Sequence, residues 1–127
     1  MSVQQDRFVV AESKQVCWID LSGRGVQQYP HEPSKGLIDP LHIIQHSQGA
    51  LLISDWDNNQ VHLVSAEGRL LQHLLTGEVV HPHTLHLDEQ AGLLCVGCLK
   101  DDKRCIKVFH FCPYPTQTTK LCLQVQV

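Results

Sequence analysis

The sequence predicts an all-β fold, and three observations lead there. Short apolar or β-branched runs alternate with clusters of Asn, Asp and Gly through most of the chain, which is the chemistry of strands and turns. Residues 15–29 align without a gap on residues 60–74, so that Gly23-Arg24 falls on Gly68-Arg69, 45 positions on. A second match sets residues 40–53 on residues 82–95, 42 positions on, and residues 106–109 fall on residues 61–64 at the 45-residue spacing. A period of about 42–45 residues carrying four short strands belongs to propeller blades rather than to a helical array. The expected architecture is therefore a partial β-propeller of about three four-stranded antiparallel blades, the first lacking its inner strand.

With the strands of a unit lettered a to d, the chain parses in order. Blade one (residues 8–30) keeps b at residues 8–11, c at 15–20 and d at 26–29. Blade two (37–75) has a at residues 41–45, b at 51–54, c at 60–64 and d at 69–75. Leu70, Leu71, Leu74 and Leu75 fall at helical spacing, but the segment between Gly68 and Gly77 is too short for an independent helix. Its partner in blade one lacks that spacing, so a strand is expected. Blade three (82–127) has a at 84–87, b at 93–96, c at 106–111 and a last strand at 120–127. That last strand alternates cleanly between apolar and polar residues, as a half-exposed outer strand does. The loop before it, residues 112–119, is longer than the template. The ungapped alignment sets Trp18 on Leu63, Cys95 on Ile53 and Gly97 on Asp55, the first two as core positions.

A length of 127 residues allows one domain, and 43% hydrophobic with 18% charged residues is a globular composition. A net charge of −3 provides no broad basic field for nucleic acid. The first residues lack a signal pattern, and no apolar run reaches membrane-spanning length. No membrane association and cytoplasmic residence are the expectation. The six cysteines then read as reduced, mostly buried thiols.

The repeat resembles that of NHL-repeat propellers, above all those at the C-terminal end of tripartite-motif (TRIM-NHL) ubiquitin ligases. The residues that carry the resemblance are Leu37-Ile38-Asp39-Pro40, Gly49, Ile53-Ser54-Asp55, Asn58 and Val61-His62-Leu63-Val64. It extends from about Phe8 to Phe111 and is best in blade two. Blade one has Ala11-Glu12 where Ser54-Asp55 stands, blade three has Gly97 for the Asp, and Gln60 replaces a favoured Arg. The resemblance implies a macromolecular-recognition module, most of all a protein-binding one, like the substrate-recruiting propeller of such ligases. The catalytic RING of those ligases, with its cysteine and histidine zinc ligands, has no counterpart here, so no enzyme activity is expected of this chain. Two alternatives accompany it: an RNA-binding NHL propeller, which the acidic balance disfavours, and a propeller-type metal-dependent lactonase or hydrolase, whose axial ligand set cannot be assembled here.

The b–c and d–a loops share one rim of a propeller, and that rim is the candidate surface. Its candidate residues are Glu12, Lys14, Trp56, Asp57, Asn59, Glu78, His81, Asp101, Lys103 and Arg104. Trp56, between two aspartates, either anchors a partner or packs over its own hairpin. Asp55 and Asn58 are expected to hold the turn backbone rather than a ligand. Cys95, Cys98, Cys105 and Cys112 hint at a metal site, but strand alternation separates them, so structural thiols, no metal and no cofactor are expected. His81, His83 and His86 straddle a strand start and read as surface residues. Three blades fall short of the 4–8 of closed propellers, leaving apolar end faces. A longer parent chain, an incomplete gene model or self-association is expected to account for this.

Overall fold

The computed structural model of the chain describes residues 7–30, 39–111 and 122–126. Three antiparallel sheets follow one another along it, and no helix occurs among the described residues. The first sheet holds β1 (Arg7–Glu12), β2 (Gln15–Asp20) and β3 (Gly25–Tyr29). The second holds β4 (Pro40–Gln45), β5 (Leu51–Asp55), β6 (Gln60–Val64) and β7 (Leu70–Leu74). The third holds β8 (Val80–Asp88), β9 (Leu93–Lys100), β10 (Lys103–His110) and β11 (Cys122–Gln126). In each sheet, strands adjacent in sequence pair with one another, a simple meander. The expected linker at 31–36, the long loop at 112–119 and the ends of the last expected strand lie outside the described residues.

Turn chemistry sets these meanders. Asp20 accepts hydrogen bonds from the backbone N–H of Ser22 and Arg24, both at 3.0 Å, while Gly23 takes φ +88°. At the equivalent turn 45 residues on, Ser65 Oγ accepts from the Arg69 N–H at 3.1 Å and Gly68 takes φ +85°. The repeated Gly-Arg is thus a left-handed turn position followed by the residue whose amide the turn captures. In the third sheet, Asp101 and Asp102 both take positive φ between β9 and β10, as a tight two-residue hairpin demands.

The second sheet is covered on both sides. Its Leu51, Ile53 and Val64 join Val16, Trp18 and Tyr29 of the first sheet in one buried cluster. Its Leu52, Val61, Leu63 and Leu74 join Leu85, Leu94, Val96 and Phe109 of the third sheet in another. Strand alternation sends neighbours to opposite faces, so β5, buried throughout, needs apolar residues at consecutive positions. Trp18 lies in the core, as its alignment on Leu63 implies.

The third sheet corrects the ungapped alignment by one residue. Strand pairing sets Leu51 opposite Val64 and Leu94 opposite Phe109, so Leu94 is the counterpart of Leu51, 43 positions on. Five residues separate the paired Gln45 and Leu51 and six separate their counterparts Leu87 and Leu94, and Gly49 (φ +98°) corresponds to Gly92 (φ +69°). Val96 therefore fills the place of Ile53, and Cys95 is turned to the opposite, half-buried face. By the same shift Gly97 corresponds to Ser54 rather than to Asp55. A Cβ on Gly97 would overlap Thr84 Oγ1 on the paired strand, so a larger residue there requires the Thr84 side chain to shift.

Candidate functional site

At one end of the stack the β5–β6 turn of the second sheet meets the first residues of β8. Trp56 stacks on His81, with ring centroids 4.3 Å apart and planes 17° from parallel. His83 tilts against the same indole at 6.0 Å. The His81 backbone N–H donates to Asn59 Oδ1 at 2.9 Å, and its Nδ1–H donates to the Trp56 carbonyl at 3.1 Å. With Nδ1 committed, the neutral imidazole carries its lone pair on Nε2. His81 and Asn59 take φ of +49° and +54°, backbone conformations uncommon for residues other than glycine. Such strain persists where surrounding bonds over-determine it, and here three contacts do.

Trp56 therefore packs against rings of the third sheet. It is half-buried and joins two sheets. Asp57 beside it is exposed, and the Trp56 N–H donates to the Asp39 carbonyl at 3.1 Å. Of the candidate residues, the structure brings Trp56, Asn59 and His81 into contact and leaves Asp57 on their rim. Glu12 ends β1 and Lys14 lies in the turn to β2, while Asp101 lies in the turn after β9 and Lys103 and Arg104 open β10, all exposed. Glu78 is exposed too, and its carbonyl accepts from Lys107 Nζ at 2.7 Å. Hydrogen bonds from the Cys17 thiol and the Gln15 amide hold Glu12 below the usual carboxylate range.

Beneath the turn lies a polar chain whose length sequence reasoning did not foresee. Asp55 is 0% exposed. Its carboxylate accepts from the Asp39 N–H at 3.0 Å, from Asn58 Nδ2 at 2.8 Å and from His62 Nε2 at 2.7 Å. Tyr29 OH lies 2.8 Å from His62 Nδ1, so the chain passes from the second sheet into the first. Burial alone would raise the Asp55 pKa, but the hydrogen bonds from His62, Asp39 and Asn58 outweigh it and hold the group below its ordinary value. An ionised carboxylate only accepts, so His62 Nε2 carries a hydrogen and its Nδ1 can accept the Tyr29 O–H. Burial, then the nearby Asp55 charge, pushes the Tyr29 phenol up to about 12. The Asn58 backbone N–H also reaches Asp55 Oδ1 at 3.4 Å, within the β5–β6 turn. No local pattern tied His62 to Tyr29. A histidine inside an otherwise apolar strand, seven residues after a turn aspartate, was the signal available.

The cysteines resolve into separate sites. Cys98 and Cys105 face each other across β9 and β10, with sulfurs 3.5 Å apart. Burial, with the hydrogen bond to Cys105, pushes the Cys98 thiol up to about 11. Cys95 points to the other face, and Cys112 lies outside the described residues. Among the described residues no group of three or more His, Cys, Asp or Glu side chains is arranged to hold a metal ion. An open cavity of about 290 Å³ runs along β7, lined by His73, Thr76, Glu78 and Phe109 among others. Its Thr76 hydroxyl donates to Gln60 Oε1 at 3.2 Å. Among the described residues no helix is long and apolar enough to cross a membrane.

No protein-family model matches the chain, and no curated protein matches it.

Proposed function

We propose that this chain is part of a β-propeller of the NHL-repeat kind, resident in the cytoplasm, and that it recognises protein through the rim where Trp56 and His81 stack. The stacked pair carries the reading. Two aromatic rings contributed by different sheets are fixed by hydrogen bonds to Asn59 and to the Trp56 carbonyl, and acidic Asp57 borders them. A half-buried, rigid aromatic surface with polar edges loses little conformational entropy on binding, which is what interface anchors require. The propeller reading is supported by three meanders of repeated sequence, each packing an apolar face on the next.

Recognition without catalysis is the role that fits these residues. The buried Asp55–His62–Tyr29 chain lies under the turn and ends on a phenol pushed up to about 12, so it joins sheets rather than activating a nucleophile. Recruitment of a substrate for ubiquitin transfer would need a RING that this sequence does not contain. The test is capture of proteins from cell extract on immobilised wild-type chain and on Trp56→Ala, followed by affinity measurement for each captured partner. A partner whose affinity falls tenfold or more in the variant supports the reading. Equal affinities refute it. Filter binding of RNA at two salt concentrations separates the RNA alternative, since phosphate contacts impose a steep salt slope.

A further inference from the structure

We propose that two copies of this chain assemble head to tail, the free face of the first sheet receiving the free face of the third sheet from the second copy. The argument starts from strand register, which makes positions in the three sheets equivalent. Phe8 pairs with Ile19, Leu51 with Val64 and Leu94 with Phe109. One step along, Val10 pairs with Cys17, Ile53 with His62 and Val96 with Lys107. These residues line the face that each sheet turns toward the sheet before it. In the second and third sheets that face is covered, and Leu51, Ile53, Val64, Leu94, Val96 and Phe109 are all buried. In the first sheet nothing described covers it. Phe8 is 59% exposed there, and Val10 is exposed beside it.

The opposite faces are equivalent in the same way. Val16 and Trp18 of the first sheet, and Val61 and Leu63 of the second, reach forward and cover the next sheet. Register sets Val61 opposite Ser54 and Leu63 opposite Leu52, and in the third sheet sets Ile106 opposite Gly97 and Val108 opposite Cys95. Ile106 and Val108 are therefore the forward-reaching residues of the third sheet. Ile106 is 49% exposed and Val108 half-buried. Among the described residues the array thus ends in one receiving face and one covering face, the two kinds that its internal contacts join twice over.

A second copy supplies both missing neighbours at once, and this selects the occupant. A heterologous contact either closes a ring or runs on into a filament. Resting on the propeller reading, two arrays of three sheets make six, within the roughly 4–8 blades that close, while one array falls short and three exceed it. Aliphatic residues and Phe8 leave water on both faces, which is the driving force.

Sedimentation equilibrium of the full chain tests this, with Phe8→Lys and Ile106→Asp as variants. Both positions are exposed in a single copy, and far-ultraviolet circular dichroism checks that each variant folds. Wild type is expected at twice the 14.3 kDa of one chain, and each variant at 14.3 kDa. An equimolar mixture of the two variants is expected to regain the doubled mass. The Phe8→Lys copy keeps its Ile106 face and the Ile106→Asp copy keeps its Phe8 face, so one contact is intact and the other sets a lysine toward an aspartate. A wild type of 14.3 kDa overturns the proposal, as does a folded variant that still doubles or a mixture that stays single. Neither substitution touches Trp56 or His81, so failure here leaves recognition by the rim standing, and the reverse.

Discussion

Asp55 shows what one residue does when three donors converge on it. Its ionised form is favoured in the folded chain, so its folded pKa lies below its unfolded value. The stability it contributes is complete above the ordinary aspartate value of about 3.9 and is lost as pH falls through the lower folded value. Asp55→Asn is expected to cost about 3 kcal/mol at neutral pH, because it leaves buried donors opposed by a donor. Urea unfolding at pH 7 and at pH 3.5 should show the gap between wild type and variant narrowing in acid. Glu12, Asp20 and Glu89 are also held low, so the comparison with the variant isolates Asp55. Gly97 makes a second claim at this scale. Gly97→Ala is expected to destabilise by about 1–3 kcal/mol through overlap with Thr84 Oγ1. Thr84→Ala in the same chain should recover most of that loss, and equal losses with and without it would refute the contact. Among residues, sequence reasoning found Asp55, Asn58, Trp56, Asn59 and His81 singly. It did not find their pairings, because stacking of Trp56 on His81 and bonding of His62 to Tyr29 depend on how sheets meet.

The elements were the most legible level, and β7 shows both why and where that legibility stops. Four leucines at helical spacing compete there with a repeat that demands a strand, and the repeat is right. Leu74 is 2% exposed while Leu71 is 52% exposed, since only one face of this outer strand meets the third sheet. Leu74→Ala is therefore expected to cost about 2–5 kcal/mol. Leu71→Ala should stay within about 0.5 kcal/mol of wild type, as exposed positions do. Comparable losses at both positions in thermal unfolding would favour the amphipathic helix. The connection from Leu87 to its partner Leu94 marks the limit. Its extra residue is invisible to an ungapped match, because Pro82, Leu94 and Cys95 all fall on plausible partners. Only pairing of Leu94 with Phe109 reveals that Cys95 has left the core.

At the scale of the molecule, three sheets are joined by two apolar clusters and by polar links that cross between them. Gln27 Nε2 donates to the Ala66 carbonyl at 2.9 Å between the first and second sheets. Ser47 Oγ donates to Glu89 Oε1 at 2.6 Å, and the Leu85 N–H to His42 Nδ1 at 2.9 Å, between the second and third. The sequence announced this repetition through Gly-Arg turns and opening prolines, whereas the order of packing was a matter of which face each strand buries. The rim proposed for recognition and the end faces proposed for self-association both depend on consecutive sheets packing face to face. The double-mutant cycle between Tyr29 and His62, residues 33 apart in sequence on different sheets, tests that packing most directly. Unfolding free energies of wild type, Tyr29→Phe, His62→Gln and the double variant are expected to give a coupling of about 1 kcal/mol or more. Additive losses, with no coupling, would contradict the stacked arrangement.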